Sequence, residues 1–509
     1  MAKCFGMEVD MDFEYIIVQA GGKGTRLEHI TKNKPKALAP IDNLPMLFHL
    51  FKKYPDKKYL IIGDYKIDVL RKYLEAFADV KYLVVDARGN SGTCSGIKKA
   101  VSLIPQNSPF MLIWSDLILP AEYEVPEECD DYVGLSKDFR CRWRYENDVF
   151  EEIPSEDTGV AGFFLFKNRD KLADVPMEGE LVKWFGEKGY IFRTTDLYRT
   201  KEYGLLEEYN KLKTAKCRPF NRLTVNDERI IKEGIDEQGR NLAVREKAWY
   251  KEAMNKGFDR TPYIFSFEPF EMERIDGKNI FEYELTYDEK KEVLVKIVDC
   301  LKELHELGEC EADYFSIEEA YLTKTFKRLE RIRDMIPFSD EKYITVNGRR
   351  CRNVYFFKDE LRDKFSNYKC DSFKFLHGDC TFSNMMLKNG KEPVLIDPRG
   401  YFGYTEIYGD VAYDWAKLYY SIVGNYDRFN RKDFRLDIGE DNVKLSISSN
   451  GWEDLESEFF KLIGDECSKN DIKLIHGIIW LSLTTYAWED YDSICGAFYN
   501  GLYYLEDIW

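Results

Sequence analysis

Two groups of residues in this chain have the types and the spacing to handle phosphate. Near the start, Gly21-Gly22-Lys23-Gly24-Thr25-Arg26 follows the apolar run Tyr15 to Val18, so a glycine-rich loop opens where a buried strand ends. Such a loop offers backbone N–H groups to phosphate oxygens, and Arg26 adds a charged fork that fits a triphosphate. Far downstream, His377-Gly378-Asp379 is followed by Asn384, five residues after the aspartate, and by Ile396-Asp397. Asp and Asn are hard oxygen donors of the kind Mg2+ takes. Two separate phosphate-handling sites are therefore expected in one chain.

The elements that must position these residues are legible as patterns. Strand-like runs Tyr59 to Ile62, Tyr82 to Val85 and Phe110 to Trp114 alternate with helix-like stretches Ile67 to Phe77 and Ser95 to Ser102. This predicts a mostly parallel sheet covered by helices, a Rossmann-like α/β domain over residues 1–205. Helical spacing of Leu205, Leu206, Tyr209 and Leu212 predicts a connecting helix over 206–214. Strand-like Arg222 to Val225 and Arg229 to Lys232, helix-like Leu242 to Met254 and a strand region around Ile264 to Phe270 predict a small β-rich lobe over 215–285. From Val293 to Leu304 apolar residues recur at helical intervals, and residues 286–509 are read as a mostly helical lobe.

The run from Ala20 to Leu47, with Lys34-Pro35-Lys36, Leu38, Pro40, Pro45 and Met46, resembles the sugar-phosphate nucleotidyltransferase family, to which the cytidylyltransferases for phosphocholine belong. The resemblance implies that Gly21, Gly22, Lys23, Gly24, Thr25 and Arg26 hold the nucleotide phosphates. It implies that Lys36 neutralises charge building on the attacked α-phosphate, that Gly92 and Thr93 lie near the nucleobase, and that Asp116 holds Mg2+. Lys36 as a solvated surface lysine and Asp116 as a helix cap are the bland alternatives. For the second metal ligand the expectation is Asp196, which follows the strand-like Tyr190 to Phe192.

The downstream spacing resembles the choline kinase and aminoglycoside phosphotransferase family, a two-lobed protein-kinase-like fold, over residues 216–492. By that resemblance Asp379 orients and deprotonates an acceptor hydroxyl, and Asn384 and Asp397 hold the Mg2+ that bridges ATP phosphates. Lys232 is the strand lysine for the phosphates, with Glu246 or Glu252 as its ion-pair partner. Glu271-Met272-Glu273 is expected to form the hinge that meets adenine through backbone groups, and Cys217 to Leu223 to cover the phosphates without a GxGxxG. His377 braces the loop, and His305 packs or hydrogen-bonds.

Aromatic residues make up 15% of the chain. Tyr413, Trp415, Tyr419, Trp480, Tyr486 and Trp488 suit a quaternary ammonium through cation–π attraction, and equally suit a core. Trp415 is the expected substrate contact, choline the favoured acceptor and CMP the favoured nucleotidyl group, for decoration of a cell-surface glycan or lipid. The alternatives are a sugar, polyol or ethanolamine capsule precursor, with Arg399 able to pair with an anion, or one domain acting as a non-catalytic module.

A net charge of −17, from Lys+Arg 74 against Asp+Glu 91, opposes nonspecific binding to nucleic acid or to an anionic membrane. The twelve cysteines form no CxxC pair and Met1 to Asp10 lack the pattern of a secretory signal. Leu474 to Leu483 is shorter than the roughly 20 residues that span a bilayer. The expectation is a cytoplasmic bifunctional enzyme working with Mg2+ on ATP, CTP or another NTP, a small alcohol and its phosphomonoester, without nucleic acid or membrane insertion.

Overall fold

The computed structural model describes residues 12–204, 206, 209 and 221–509. Contacts divide the chain into two units, residues 1–215 with 489–491, and residues 216–488 with 492–509. The expected connecting helix lies outside the described residues except for Leu206 and Tyr209, and the expected phosphate cover is described only from Asn221 onward.

In the N-terminal unit, Phe110–Trp114, Tyr15–Gln19, Lys58–Gly63 and Lys81–Asp86 lie side by side in that order, all parallel. Ile16, Ile17 and Val18 are all buried, as a strand covered on both faces requires. Tyr15 pairs with Phe110 and Gln19 with Trp114. Strands parallel and level in this way must release their chains at the same edge, so the glycine loop after Gln19 and Asp116 after Trp114 emerge together. The sheet does not stay parallel. Gly159–Phe166 runs antiparallel to Phe110–Trp114 and continues the sheet into Tyr132–Ser136 and Arg193–Asp196, nine strands among the described residues. No crossover helix stands between Phe110–Trp114 and Gly159–Phe166, and without one a strand is not returned in the parallel sense.

The second unit opens with a four-stranded antiparallel sheet in the order Asn221–Val225, Arg229–Gly234, Phe270–Glu273, Ile264–Phe267. Helix Glu237–Asn255 follows the second strand and starts where Asp236 accepts from the Gly239 amide at 2.7 Å. Helix Tyr287–His305 begins with a capping box between Thr286 and Glu289. The helices Lys324–Ile332, Val411–Ile422, Lys469–Leu483 and Tyr491–Leu505 supply much of the rest.

Several short sheets depart from the helical expectation, and the largest of them among the described residues has four strands. Arg349–Arg352, Tyr343–Val346, Val443–Ile447 and Phe434–Ile438 form a four-stranded sheet. Its strands bury alternate residues, Ile344 with Val346 and Val443 with Leu445, a period of two within runs too short to stand out against helical periodicity. No described helix is long and apolar enough to cross a membrane.

Two candidate active sites

In the N-terminal unit the glycine loop is tied down from both sides. The Tyr65 amide donates to the Gly21 carbonyl and the Lys36 amide to the Gly22 carbonyl, each at 3.4 Å. Lys23 places its ammonium over the Tyr65 ring, 5.6 Å from the centroid. Thr25 and Arg26 begin the short helix Thr25–Thr31. Lys36 is buried and its ammonium is ion-paired to the Asp116 carboxylate. A lysine within that much protein needs such a partner.

Gly92 is held at φ 86°, and a Cβ there would lie 2.3 Å from the Gly179 carbonyl oxygen, so only glycine fits. The neighbouring Thr93 accepts from the Leu181 amide at 2.8 Å, and its own carbonyl accepts from Gln19 at 2.6 Å. Gly92 and Thr93 are thus locked to the end of the same strand that feeds the glycine loop.

The second carboxylate at this edge is one that sequence reasoning missed. The two-residue strand Lys201–Glu202 pairs antiparallel with Leu117–Ile118, setting Glu202 opposite Leu117 and so beside Asp116. Burial raises the Glu202 carboxyl above its usual range and the like charge of Asp116 adds to the effect, while Lys36 and Arg26 oppose it. Arg26 lies 3.9 Å from it. Asp196, the sequence's choice, is more than half exposed at the sheet edge and ion-paired to Lys137 at 3.1 Å. It ends a strand with no purely apolar run, whereas Glu202 had no local signal: only the ladder with Leu117–Ile118 brings it in.

In the second unit, the lysine at 232 is bound between two acids, Glu246 at 2.8 Å and Asp397 at 2.6 Å. Glu252, the other sequence option, pairs with Lys256 at 3.5 Å. Burial pushes Glu246 up to about 7 against the pull of Lys232. Lys232 keeps its proton above the ordinary lysine range: burial opposes its charge, and Asp397 and Glu246 outweigh that.

Asn384 and Asp397 bracket one end of a hairpin, Met385–Lys388 with Glu392–Leu395, closed by the Ile396 amide donating to the Asn384 carbonyl at 3.0 Å. The Asn384 amide nitrogen donates to both the carbonyl and the carboxylate of Asp379, each at 2.9 Å. Lys417, from helix Val411–Ile422, pairs with the same carboxylate at 2.9 Å. The side chains expected to handle phosphate therefore converge from the β lobe, the hairpin and a helix.

The loop carrying Asp379 is held by a buried carboxylate. Asp414 is fully buried and accepts from the amides of His377 and Gly378 at 2.9 and 2.7 Å. His305 lies 3.2 Å from the same carboxylate. Burial works against charge on both side chains, yet their mutual hydrogen bond, aided at His305 by Glu466, prevails and leaves Asp414 below the usual carboxylate range and His305 above its ordinary value. The ring of His377 reaches the Ile396 carbonyl at 3.0 Å and thereby ties the Asp379 loop to the segment bearing Asp397. An aspartate inside the apolar helix Val411–Ile422 was the signal for Asp414, and Lys417 lies one turn further on.

Two expectations fall differently. Glu271 and Glu273 lie within strand Phe270–Glu273, whose backbone pairs with strands on both sides. Their side chains go to Arg229 at 3.2 Å and Lys388 at 2.6 Å, so a stretch with its ladder bonds already made is not a free hinge for adenine. Trp415 is fully buried, 5.2 Å from the His305 ring and 6.5 Å from Phe459, which makes it a core residue. Trp480 is equally buried and donates to His476 at 3.0 Å.

Residues 15–126 match the family described as nucleotidyl transferase, so the N-terminal unit carries a nucleotidyltransferase domain. The chain is similar to the D-glycero-alpha-D-manno-heptose 1-phosphate guanylyltransferase of Campylobacter jejuni, 32% identical over 100 residues, 19% of this chain and 45% of that protein. It is also similar to the bifunctional protein GlmU of Methanococcus maripaludis, 29% identical over 124 residues, 24% of this chain and 29% of that protein. The chain thus spans less than half of the length of either relative. The CTP:phosphocholine cytidylyltransferase of Streptococcus pneumoniae overlaps 40% of this chain and 98% of its own at 16% identity with a TM-score of 0.32, a likeness too slight to carry an argument.

Proposed function

We propose that the chain is a bifunctional transferase. Its N-terminal unit transfers a nucleotidyl group from an NTP to a phosphomonoester and releases pyrophosphate. Its C-terminal unit makes that phosphomonoester from a small alcohol and ATP. The observation that carries the reading is a shared arrangement, a lysine ammonium held on a carboxylate: Lys36, whose amide is bonded to the glycine loop, on Asp116, and Lys232 on Asp397.

In the C-terminal step the acceptor oxygen forms a bond to the γ-phosphorus and the bond from that phosphorus to the β–γ bridging oxygen breaks. ADP leaves with the electron pair, and the hydroxyl proton passes to the Asp379 carboxylate. Lys232 steadies the phosphates, and Asn384 fixes the direction of Asp379. In the N-terminal step a phosphomonoester oxygen attacks the α-phosphorus, and pyrophosphate departs with the electrons of the broken bond. Lys36 offsets the negative charge that grows on the α-phosphate, and the glycine loop with Lys23 and Arg26 holds the departing pyrophosphate.

The donors suit Mg2+. Asp116 with Glu202 in one unit, and Asp397 with the Asn384 amide oxygen in the other, are hard oxygen donors, and in each unit an ammonium already lies on a carboxylate where positive charge is favoured. Mg2+ bound there would withdraw charge from the phosphate oxygens.

CTP is the donor to try first. Incubation with ATP, CTP and Mg2+ over a panel of alcohols, with nucleotide-linked products identified by mass, tests the whole reading, and GTP or UTP in place of CTP tests the base. The expected product needs both nucleotides and is lost in Lys36→Ala. No pyrophosphate release with any supplied phosphomonoester would sink the N-terminal assignment.

A further inference from the structure

The helical lobe gathers cations beside Asp379 that the phosphoryl transfer just described does not use. Lys324 and Arg328 stand four apart, on one face of helix Lys324–Ile332, and Tyr321, one turn before Lys324, has its ring 6.0 Å from that of Tyr413, the tyrosine that also meets Arg399. Arg399 follows Asp397 in the chain and lies against the catalytic loop: its amide donates to the His377 carbonyl at 2.8 Å, and a Cβ on Gly378 would lie 2.9 Å from its own. Its guanidinium donates to the hydroxyls of Tyr413 at 2.6 Å and Tyr401 at 3.3 Å. Lys417 places its ammonium 5.9 Å from the Tyr413 ring centroid while pairing with Asp379. Arg245 covers the Tyr401 ring from 4.4 Å.

Like charges gathered in a partly desolvated space repel one another. Lys417 has Asp379 as its counter-charge. Among the described residues Arg328 donates to the carbonyl and hydroxyl of Ser482, and Arg399 to the two tyrosines. Among the described residues Lys324, Arg328 and Arg399 have no carboxylate in ion-pair contact. Burial and the charges of Arg399, Arg328 and Lys417 push Lys324 down to about 6, with Glu319 opposing. Burial and Arg399 lower Arg328 as well. A fold that keeps such a group next to its reacting carboxylate is matched to an anion brought by a ligand.

We propose that the alcohol phosphorylated at the C-terminal site is an acid, whose carboxylate or phosphate is held by Lys324, Arg328 and Arg399 while its hydroxyl meets Asp379. The proposal rests on the kinase reading above and narrows it. A cation such as choline is repelled by the charges of Arg328, Arg399 and Lys417, and the buried Trp415 and Trp480 offer it no cage. Lys232 lies with Glu246 and Asp397, so the ATP phosphates have their own cation and the cluster is left to the acceptor.

The test is ADP formation by the full chain with ATP and Mg2+ on glycerate, glycerol phosphate, glycerol and choline. The expected result is a kcat/KM at least about tenfold higher for an acid than for glycerol or choline, worth about 1.4 kcal/mol. Glycerate against glycerol phosphate separates a carboxylate from a phosphate. Lys324→Gln is expected to raise the KM of the acid by about tenfold and to leave the KM of ATP within about twofold, with recovery in Lys324→Arg. Choline or glycerol turning over as well as the acids overturns the proposal. So does a Lys324→Gln defect confined to ATP, which would assign the cluster to the nucleotide.

If none of the four alcohols yields ADP, the kinase reading loses its support and calorimetric titration with glycerate, glycerol phosphate and inorganic phosphate judges the anion site by itself. Binding of any of them that survives in Asp379→Asn and is lost in Lys324→Gln supports it. No binding of any to the unaltered chain overturns it.

Discussion

Asp116 and Asp379 are both carboxylates set against a lysine, but the two units place them by different means. Asp116 follows a strand paired level with its neighbour, so its position is fixed by backbone ladder bonds that no single side chain supplies. Asp379 sits in a loop whose amides hang on one buried carboxylate, Asp414, itself matched to His305. Placement by register is spread over many bonds, whereas placement by a buried polar network depends on every member being present. The C-terminal site is therefore the more fragile one.

The largest effect expected is at Asp379. Asp379→Asn keeps the size of the side chain and removes the proton acceptor, so ADP formation is expected to fall by about 10²–10⁴-fold. Pyrophosphate release from a supplied phosphomonoester is expected to stay within about twofold, because the two sites belong to separate units. Both rates falling together in one assay series would break the comparison at its base.

Next is the anchor. Asp414→Ala leaves two loop amides without their acceptor in a fully buried place and His305 with Glu466 alone, 3.7 Å from its other ring nitrogen, and breaking a buried charge pair costs about 3–5 kcal/mol. Urea unfolding should report a loss of that order, together with reduced ADP formation. Asp414→Asn retains one acceptor oxygen and should recover part of the stability. A stability unchanged by Asp414→Ala would show that the loop is held by its chain connections and not by the network.

The contrast also explains what could be read from residue order. The parallel strands, the β lobe and the loop bearing Asp379 were legible because each rests on local pattern: apolar runs, glycine position, and fixed spacing from His377 to Asn384. What escaped depends on partners distant in sequence. Glu202 matters only through its pairing with Leu117, and Asp414 only through the amides of His377 and Gly378. Trp415 was misplaced because helical spacing alone does not say which face turns toward the core, and this one turns toward His305. The sheet joining Tyr343–Val346 to Val443–Ile447 spans nearly a hundred residues of separation, which no local window contains.

The smallest effect is the sharpest test of placement by register. Glu202 and Asp196 both end short strands, and the charge of Glu202 is coupled to Asp116 and Lys36. Asp196 is solvent-exposed in an ion pair with Lys137, a kind of contact worth about 0–1 kcal/mol. Glu202→Gln is therefore expected to lower pyrophosphate release by about tenfold, the loss of one charged contact in the reacting centre. It should also raise the Mg2+ concentration needed for half-maximal rate, which a merely structural role for the carboxylate would leave alone. Asp196→Asn is expected to change the rate by less than about twofold, within the reach of one exposed ion pair. The opposite ranking would return the second ligand position to Asp196 and would mean that the ladder between Lys201–Glu202 and Leu117–Ile118 does not persist during turnover.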